Sequence, residues 1–299
     1  MGMSLGLGLG LTQTRPARTG APPPAFDADA LAYIQRVEGP TGDNQALEPG
    51  VREAINAFVV GAKADGIWDA LKASAILAGA RTLNGALQPL VGPAPTNFNF
   101  VSADYNRVTG LKGNGTTKVL DSNRNNTADP QNSQHIALWN NESVGNETAI
   151  MMGVGADAAN RTAIVSFSNS YSFRSRNNTA STLGNTAITG FIGLSRGNAA
   201  NYNARVSGSS QTFNTTSAAG GNENIGVFYG PSSDGFRSSG RFAFYSIGEH
   251  IDLEALEAAL RTLFARAAFS VNTGLNWQDY DPDIIAYINA GYAAGGTLA

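Results

Sequence analysis

The sequence predicts a mainly β protein: an antiparallel sandwich preceded by a short helical segment and closed by a C-terminal helix. Three observations carry this. Short runs rich in β-branched and aromatic residues recur between Phe98 and Gly248, bounded by Gly, Asn and Ser. Helical periodicity is confined to the two flanks, so the crossover helices that a parallel sheet needs are missing. Polar positions are filled by Asn, Ser, Thr and Gly, with 35 Gly and only 14% charged residues among 299, a composition that suits strands and turns.

The first element is an arm. Leu5, Leu7, Leu9 and Leu11 alternate with Gly6, Gly8 and Gly10, so an extended chain places all four Leu on one face. Gly loses the most backbone entropy on ordering, and such a strand needs a partner to become ordered. These four Leu are therefore the expected oligomer or particle contacts. The first basic residue, Arg15, follows the apolar stretch, whereas a signal peptide would carry it before. Arg15-Pro16, Arg18 and Pro22-Pro23-Pro24 make residues 12–25 an extended polyproline-type spacer.

Residues 26–72 read as a helical segment. Asp27 or Asp29 caps a short helix through Ile34. A second starts at Glu48-Pro49 and places Ile55, Phe58, Val59 and Ala62 on one face before Gly66 stops it. Ile67 to Leu71 reads as a further helical turn. The sandwich is expected over 73–269, with strands at His135–Trp139, Thr148–Met152, Thr162–Phe167, Gly190–Leu194, Tyr202–Val206, Ile225–Tyr229 and Phe242–Ile247. Its closing helix begins at Asp252, carries Leu253, Leu256, Leu260 and Leu263 on one face and has Arg261 and Arg266 near its end, charges that suit the helix dipole. The tail, 270–299, echoes residues 27–34 in Asp281-Pro282-Asp283-Ile284-Ile285-Ala286-Tyr287-Ile288.

Several function classes are disfavoured. A formal charge of −3 gives no electrostatic basis for binding nucleic acid. No apolar run is long enough for a membrane span. No Cys and only two His, His135 and His250, leave no thiolate or multi-histidine metal site, and no cofactor is expected. Asp121-Ser122-Asn123-Arg124-Asn125 has alternating oxygen ligands, but an EF-hand would need Gly at Asn126 and Glu at Asn132. The sandwich acids Glu142, Glu147, Asp157, Glu223 and Glu249 show no spacing that singles out a glycosidase pair. Neither His lies near a Gly-x-Ser-x-Gly elbow. The expectation is a protein that is not an enzyme. Sugar rings stack on aromatic faces while their hydroxyls take directional hydrogen bonds, so Tyr171, Phe173, Tyr202, Tyr229 and Phe236, beside Asn and Asp, are the candidate glycan contacts; because aromatics are mostly buried, the reading that these rings fill the sandwich core or a subunit contact is the favoured alternative.

Asn56 to Trp68, Leu77 to Leu83, Pro95 to Phe100, Gly110 to Lys118, Asp121 to Asn126 and Phe244 to Glu249 resemble segments of a family of tailed-phage and prophage virion structural proteins, over about residues 26–267. The resemblance implies a jelly roll of the concanavalin A or laminin-G type, a place on the virion as a decoration, spike or fibre protein, and other capsid or tail proteins as partners. It supplies no catalytic residues. A homo-oligomer, with a trimer favoured, is expected. The alternative is a host-surface glycan-binding module for adsorption.

Overall fold

The computed structural model describes residues 25–142, 148–154, 160–167, 170–184, 189–231, 236–279 and 286. The Leu contacts of the arm, Leu5, Leu7, Leu9 and Leu11, and all of the C-terminal echo but Ala286 lie outside them.

Four helices and fifteen strands follow in chain order among the described residues: α1 (Ala28–Glu38), α2 (Pro49–Ala64), β1 (Leu71–Ile76), α3 (Leu83–Ala86), β2 (Thr96–Phe98), β3 (Tyr105–Asn106), β4 (Gly110–Lys112), β5 (Val119–Asn125), β6 (Gln134–Glu142), β7 (Ala149–Gly153), β8 (Thr162–Phe167), β9 (Ser170–Ser175), β10 (Ser181–Gly184), β11 (Gly190–Arg196), β12 (Tyr202–Val206), β13 (Ser209–Phe213), β14 (Asn224–Val227), β15 (Arg241–Gly248) and α4 (Leu253–Thr273). They form an antiparallel jelly-roll sandwich with a helical layer on one face.

Sheet A runs β13-β12-β11-β6-β15-β4-β3, and β1 pairs with the C-terminal half of β15. Sheet B runs β10-β9-β8-β7-β14-β5-β2. Along β6, Ile136 and Leu138 face sheet B, while Ala137 and Trp139 face the helices, as the two-residue period of a strand requires. Sheet A is thus apolar on both faces, which explains the continuous burial from Gln134 to Asn140. Between the sheets the core is filled by side chains such as Ile164, Phe173, Ile192, Phe228, Phe242 and Tyr245, with Phe228 stacked on Phe242 at 4.1 Å.

The helical layer belongs to a core shared with sheet A. Asp27 caps α1 by accepting from the Asp29 N–H, and Ala30, Tyr33, Ile34 and Val37 are buried. Pro49 opens α2, and Phe58 meets Phe244 of β15 edge-on at 6.3 Å. Asp252 caps α4 through the N–H groups of Glu254 and Ala255, and Gly274 at φ 71° ends it in the left-handed conformation that glycine adopts most readily. The long helices α2 and α4 run close together because Gly50 stands against Ser270, where any side chain would collide with the Ser270 hydroxyl. Buried Glu257 fixes α4 to the sheet by accepting from Arg205 Nε of β12 at 2.6 Å, from the Gly208 N–H and from Arg261.

This arrangement corrects three expectations. The Ile67–Leu71 turn is a 3-10 turn at Trp68–Ala70, after which Leu71 starts β1, so a boundary at 72/73 would cut a strand. The boundary at 269/270 would cut α4, and Trp277 beyond it is buried, donating to the Gly50 carbonyl and stacked under Arg266. The segment 26–72 is a layer of the sandwich domain and does not form a separate unit, because α2, α4 and sheet A bury one apolar cluster together.

One end of the sandwich is tied by buried arginines. Arg196, at the end of β11, is fully buried and donates to the carbonyls of Ser175, Asn198, Ala199, Asn201 and Thr215, with its guanidinium 5.3 Å from the Tyr202 ring centre. Arg176 donates to the carbonyls of Asn126 and Pro130. Each guanidinium offers five donors in a rigid fork, which suits it to gather several loop carbonyls at once.

Candidate functional site

The helices close the outer face of sheet A, so the outer face of sheet B is the broad surface of the sandwich with no helix over it among the described residues. Register defines what lies across it. Arg174 pairs with Ala163, Ala163 with Gly153, Gly153 with Gly226, Gly226 with Asp121, and Asp121 with Thr96. The middle of this row has only Ala and Gly, and Gly153, Ala163 and Gly226 are all buried. A Cβ on Gly226 would stand 2.5 Å from the Tyr229 ring, which places that ring over the glycine.

Polar groups surround the ring. Asp121 accepts from the Asn123 N–H at 2.7 Å and from Asn224 Nδ2 at 3.2 Å, which fixes the carboxylate next to Gly226. Asn123 reaches φ 56° and donates to the Ala94 carbonyl and Thr96 Oγ1, tying β5 to the segment before β2. Burial pushes the Tyr229 hydroxyl up to about 12, Asp121 adding to the rise and Arg237 opposing it. The phenol is therefore a neutral donor at physiological pH. Towards the opposite end of the face, Ile150, Ala163 and Val165 form a small apolar cluster, with Phe167 53% and Phe236 43% exposed. The Phe236 carbonyl accepts from the Ile150 N–H.

Of the aromatic residues the sequence singles out, Tyr171, Phe173 and Tyr202 are not at the surface. All three are buried between the sheets, and the Tyr202 hydroxyl donates to the Phe173 carbonyl at 3.0 Å. The reason is the alternation of β9: Tyr171, Phe173 and Ser175 point inward, and Ser170, Ser172 and Arg174 outward. Tyr229 and Phe236 lie on the sheet B side. The outward Arg174 and Asn224 are not among the candidates drawn from the sequence, although the alternating Ser-Tyr-Ser-Phe-Arg-Ser stretch carries the signal for Arg174, and Asp121 is considered there only as a calcium ligand.

The other candidate chemistries are placed as follows. Asp121 to Asn125 lies within strand β5, with Asp121 and Asn123 on the outer face and Ser122 on the inner one, so the oxygens do not converge. Arg124 pairs with Asp129. Among the described residues no three His, Asp or Glu side chains are grouped to hold a metal ion. Glu142 is paired with Lys112 and Arg241, which outweigh the upward push of burial and hold its carboxyl below the usual range. Glu249 pairs with Lys72 at 3.0 Å, while Glu147 and Asp157 lie outside the described residues.

Both histidines stand near the start of α4. His135 is buried, with its ring nitrogens on the Glu249 carbonyl and Ser246 Oγ. Ser195 Oγ lies 2.8 Å from His250 Nδ1, but it also accepts from the Ile251 N–H and donates to the Ile251 carbonyl at 2.7 Å. Its one proton is engaged by a backbone acceptor, and the residue is only 2% exposed. The pair anchors the 249–253 turn.

No protein-family model matches the sequence, and no curated protein matches it. Among solved structures, mouse laminin α1 chain domains LG4-5 are 14% identical with a TM-score of 0.36, over 55% of this chain and 46% of that one. The binding domain of botulinum neurotoxin serotype D is 9% identical with a TM-score of 0.43, over 63% and 51%. The CBM40 of the Ruminococcus gnavus IT-sialidase, bound to α2,3-sialyllactose, is 13% identical with a TM-score of 0.33, over 44% and 82%. This chain spans about half the length of the first two. The likeness concerns the sandwich architecture alone.

Proposed function

We propose that the chain is a non-enzymatic structural component of a bacteriophage or phage-like particle, a decoration, spike or fibre subunit held to the virion or to its own copies by its N-terminal arm. The observation that carries this reading is the two-sidedness of the domain. The helical layer closes one face of the sandwich, and the arm joins the domain on that side, where Asp27 is bound to Asn56 and Lys63 of α2. Over the opposite face no helix lies among the described residues. A subunit with an attachment side and a display side suits a particle surface. The segments similar to virion proteins support the same reading, as does the commitment of Ser195, Glu142 and Glu249 to structural partners. Mass spectrometry of gradient-purified particles from the source host is expected to find the chain as a multi-copy component. Its presence in cell lysate and absence from particles would sink the proposal.

A second reading, host-surface glycan binding, is favoured by one feature: the Tyr229 ring on Gly226 beside the fixed Asp121 carboxylate and Asn224. An aromatic face flanked by directional acceptors and amide donors is the chemistry that holds a sugar ring. Tyr229→Ala is expected to abolish signal on a bacterial polysaccharide array and to reduce adsorption at least tenfold, with unfolding unchanged. A purely decorative subunit would adsorb and assemble equally well with either residue.

A further inference from the structure

On the outer surface of the helical layer a groove of about 240 Å³ runs between α2 and α4, its lining mostly apolar but including Asp65 and Thr262. Its walls are small, with Ala57 and Gly61 on one side and Ala258 and Ala259 on the other, and Phe58 and Leu263 contribute to its lining. A Cβ built on Gly61 meets nothing within 4 Å, so the groove is open at that point. Val60, next to it, is 49% exposed. Among the described residues only α2, its C-cap Asp65 and α4 line it.

We infer that the groove receives the Leu5–Leu11 arm of a second copy of this chain. The inference rests on the reading of the arm as an assembly element and adds its receptor. Shape is the first argument. Walls of Ala and Gly admit a close-lying backbone, and a segment with Gly at every second position offers one while its Leu side chains enter the groove.

Charge is the second. Residues 1–26 contain no acidic residue and carry Arg15 and Arg18 just after the Leu segment, whereas Asp65 lines the groove and is exposed. Length is the third, and it permits a second copy. Asn56 and Lys63, which hold Asp27, stand on one side of α2, and Gly61 opens on the other. Crossing one helix takes about 10 Å. The spacer, residues 12–25, reaches about 43 Å at about 3.1 Å per residue. That is close to the width of a domain with a radius of gyration of about 18 Å, so the spacer has the length to carry the Leu segment onto a neighbouring subunit.

Gly61→Leu in the full-length chain tests this. The substitution fills the open part of the groove and raises helix propensity, so thermal unfolding should be retained or improved. Sedimentation equilibrium is expected to give an oligomer for the wild type and a monomer for Gly61→Leu. A synthetic peptide of residues 1–18 should dissociate the wild-type oligomer, and Asp65→Lys should weaken association at least tenfold at low salt. An oligomer unchanged by Gly61→Leu overturns the inference; if deleting the arm still dissociates it, the arm acts at another surface and the reading of the arm as an assembly element survives. A monomeric wild type that binds the peptide in a Gly61-dependent way assigns the groove to the chain's own arm, and this also overturns the second-copy claim.

Discussion

Replacing Arg196 with Ala is expected to destabilise the domain by about 3–5 kcal/mol, the range for stripping a partner from a buried, fully bonded polar group. The side chain serves five backbone carbonyls from the end of β9 and two loops, at residues 175, 198–201 and 215. Without it the Ser175 carbonyl loses its guanidinium donors in the buried interior and the part-buried loop carbonyls lose their common donor. Arg196→Lys should rescue little, because an ammonium is a compact point charge that cannot span carbonyls spread across the guanidinium fork. Urea unfolding should show a lowered midpoint at nearly unchanged slope. A loss below about 1 kcal/mol would mean that the loops close without the arginine.

The second large effect is a loss of stability on mild acidification, through His135. Burial pushes its imidazole from 6.5 down to about 4, with the Glu249 backbone bond and Asp129 opposing and His250 and Arg124 adding to the fall. The unfolded chain therefore takes up the proton first. The stabilisation is complete above pH 6.5, declines as the pH falls, and is lost near pH 4, amounting to about 3 kcal/mol. The carboxylates of Asp27, Glu48, Asp104 and Glu142 are held low by cations, so their contributions disappear mainly below this window. Between pH 6.5 and about 5 the histidine should dominate. Equilibrium unfolding of the wild type and His135→Gln across that interval checks it. The variant should be less stable at pH 7 and show a flatter profile, and parallel profiles would assign the acid sensitivity elsewhere.

The sequence revealed the elements with strong local signals. Phe58 and Val59 on α2, the Asp252 cap of α4 and the β-branched runs of β6, β8 and β11 place those elements within a few residues of where they stand. What it hid depends on contacts distant along the chain. Strands β9, β10 and β13 are rich in Ser and Thr, because only one of their faces is buried or because they lie at a sheet edge, so their hydrophobic signal is weak. For the same reason the sequence leaves Tyr171, Phe173 and Tyr202 open to both readings, core and surface, and the structure puts them in the core. A ring beside Asn and Ser in sequence looks like surface, but alternation sends the ring inward and the polar neighbour outward. Tyr229 lies over Gly226 only because the chain turns back on itself, and Asp121 joins it across two sheet neighbours. The merging of residues 26–72 with the sandwich was likewise invisible, since it needs α4, about 200 residues later, to complete the layer.

The most direct test of an arm-assembled structural protein is the mass in solution of the full-length chain beside a chain lacking residues 1–25. The buried core clusters begin after Phe26, at Ala30, so the truncated chain retains the sandwich and its helices. An oligomer, with a trimer favoured, that becomes a folded monomer on truncation is the predicted result. An oligomer of the same size in both, or a monomer in both at virion-like concentrations, would contradict assembly through the arm.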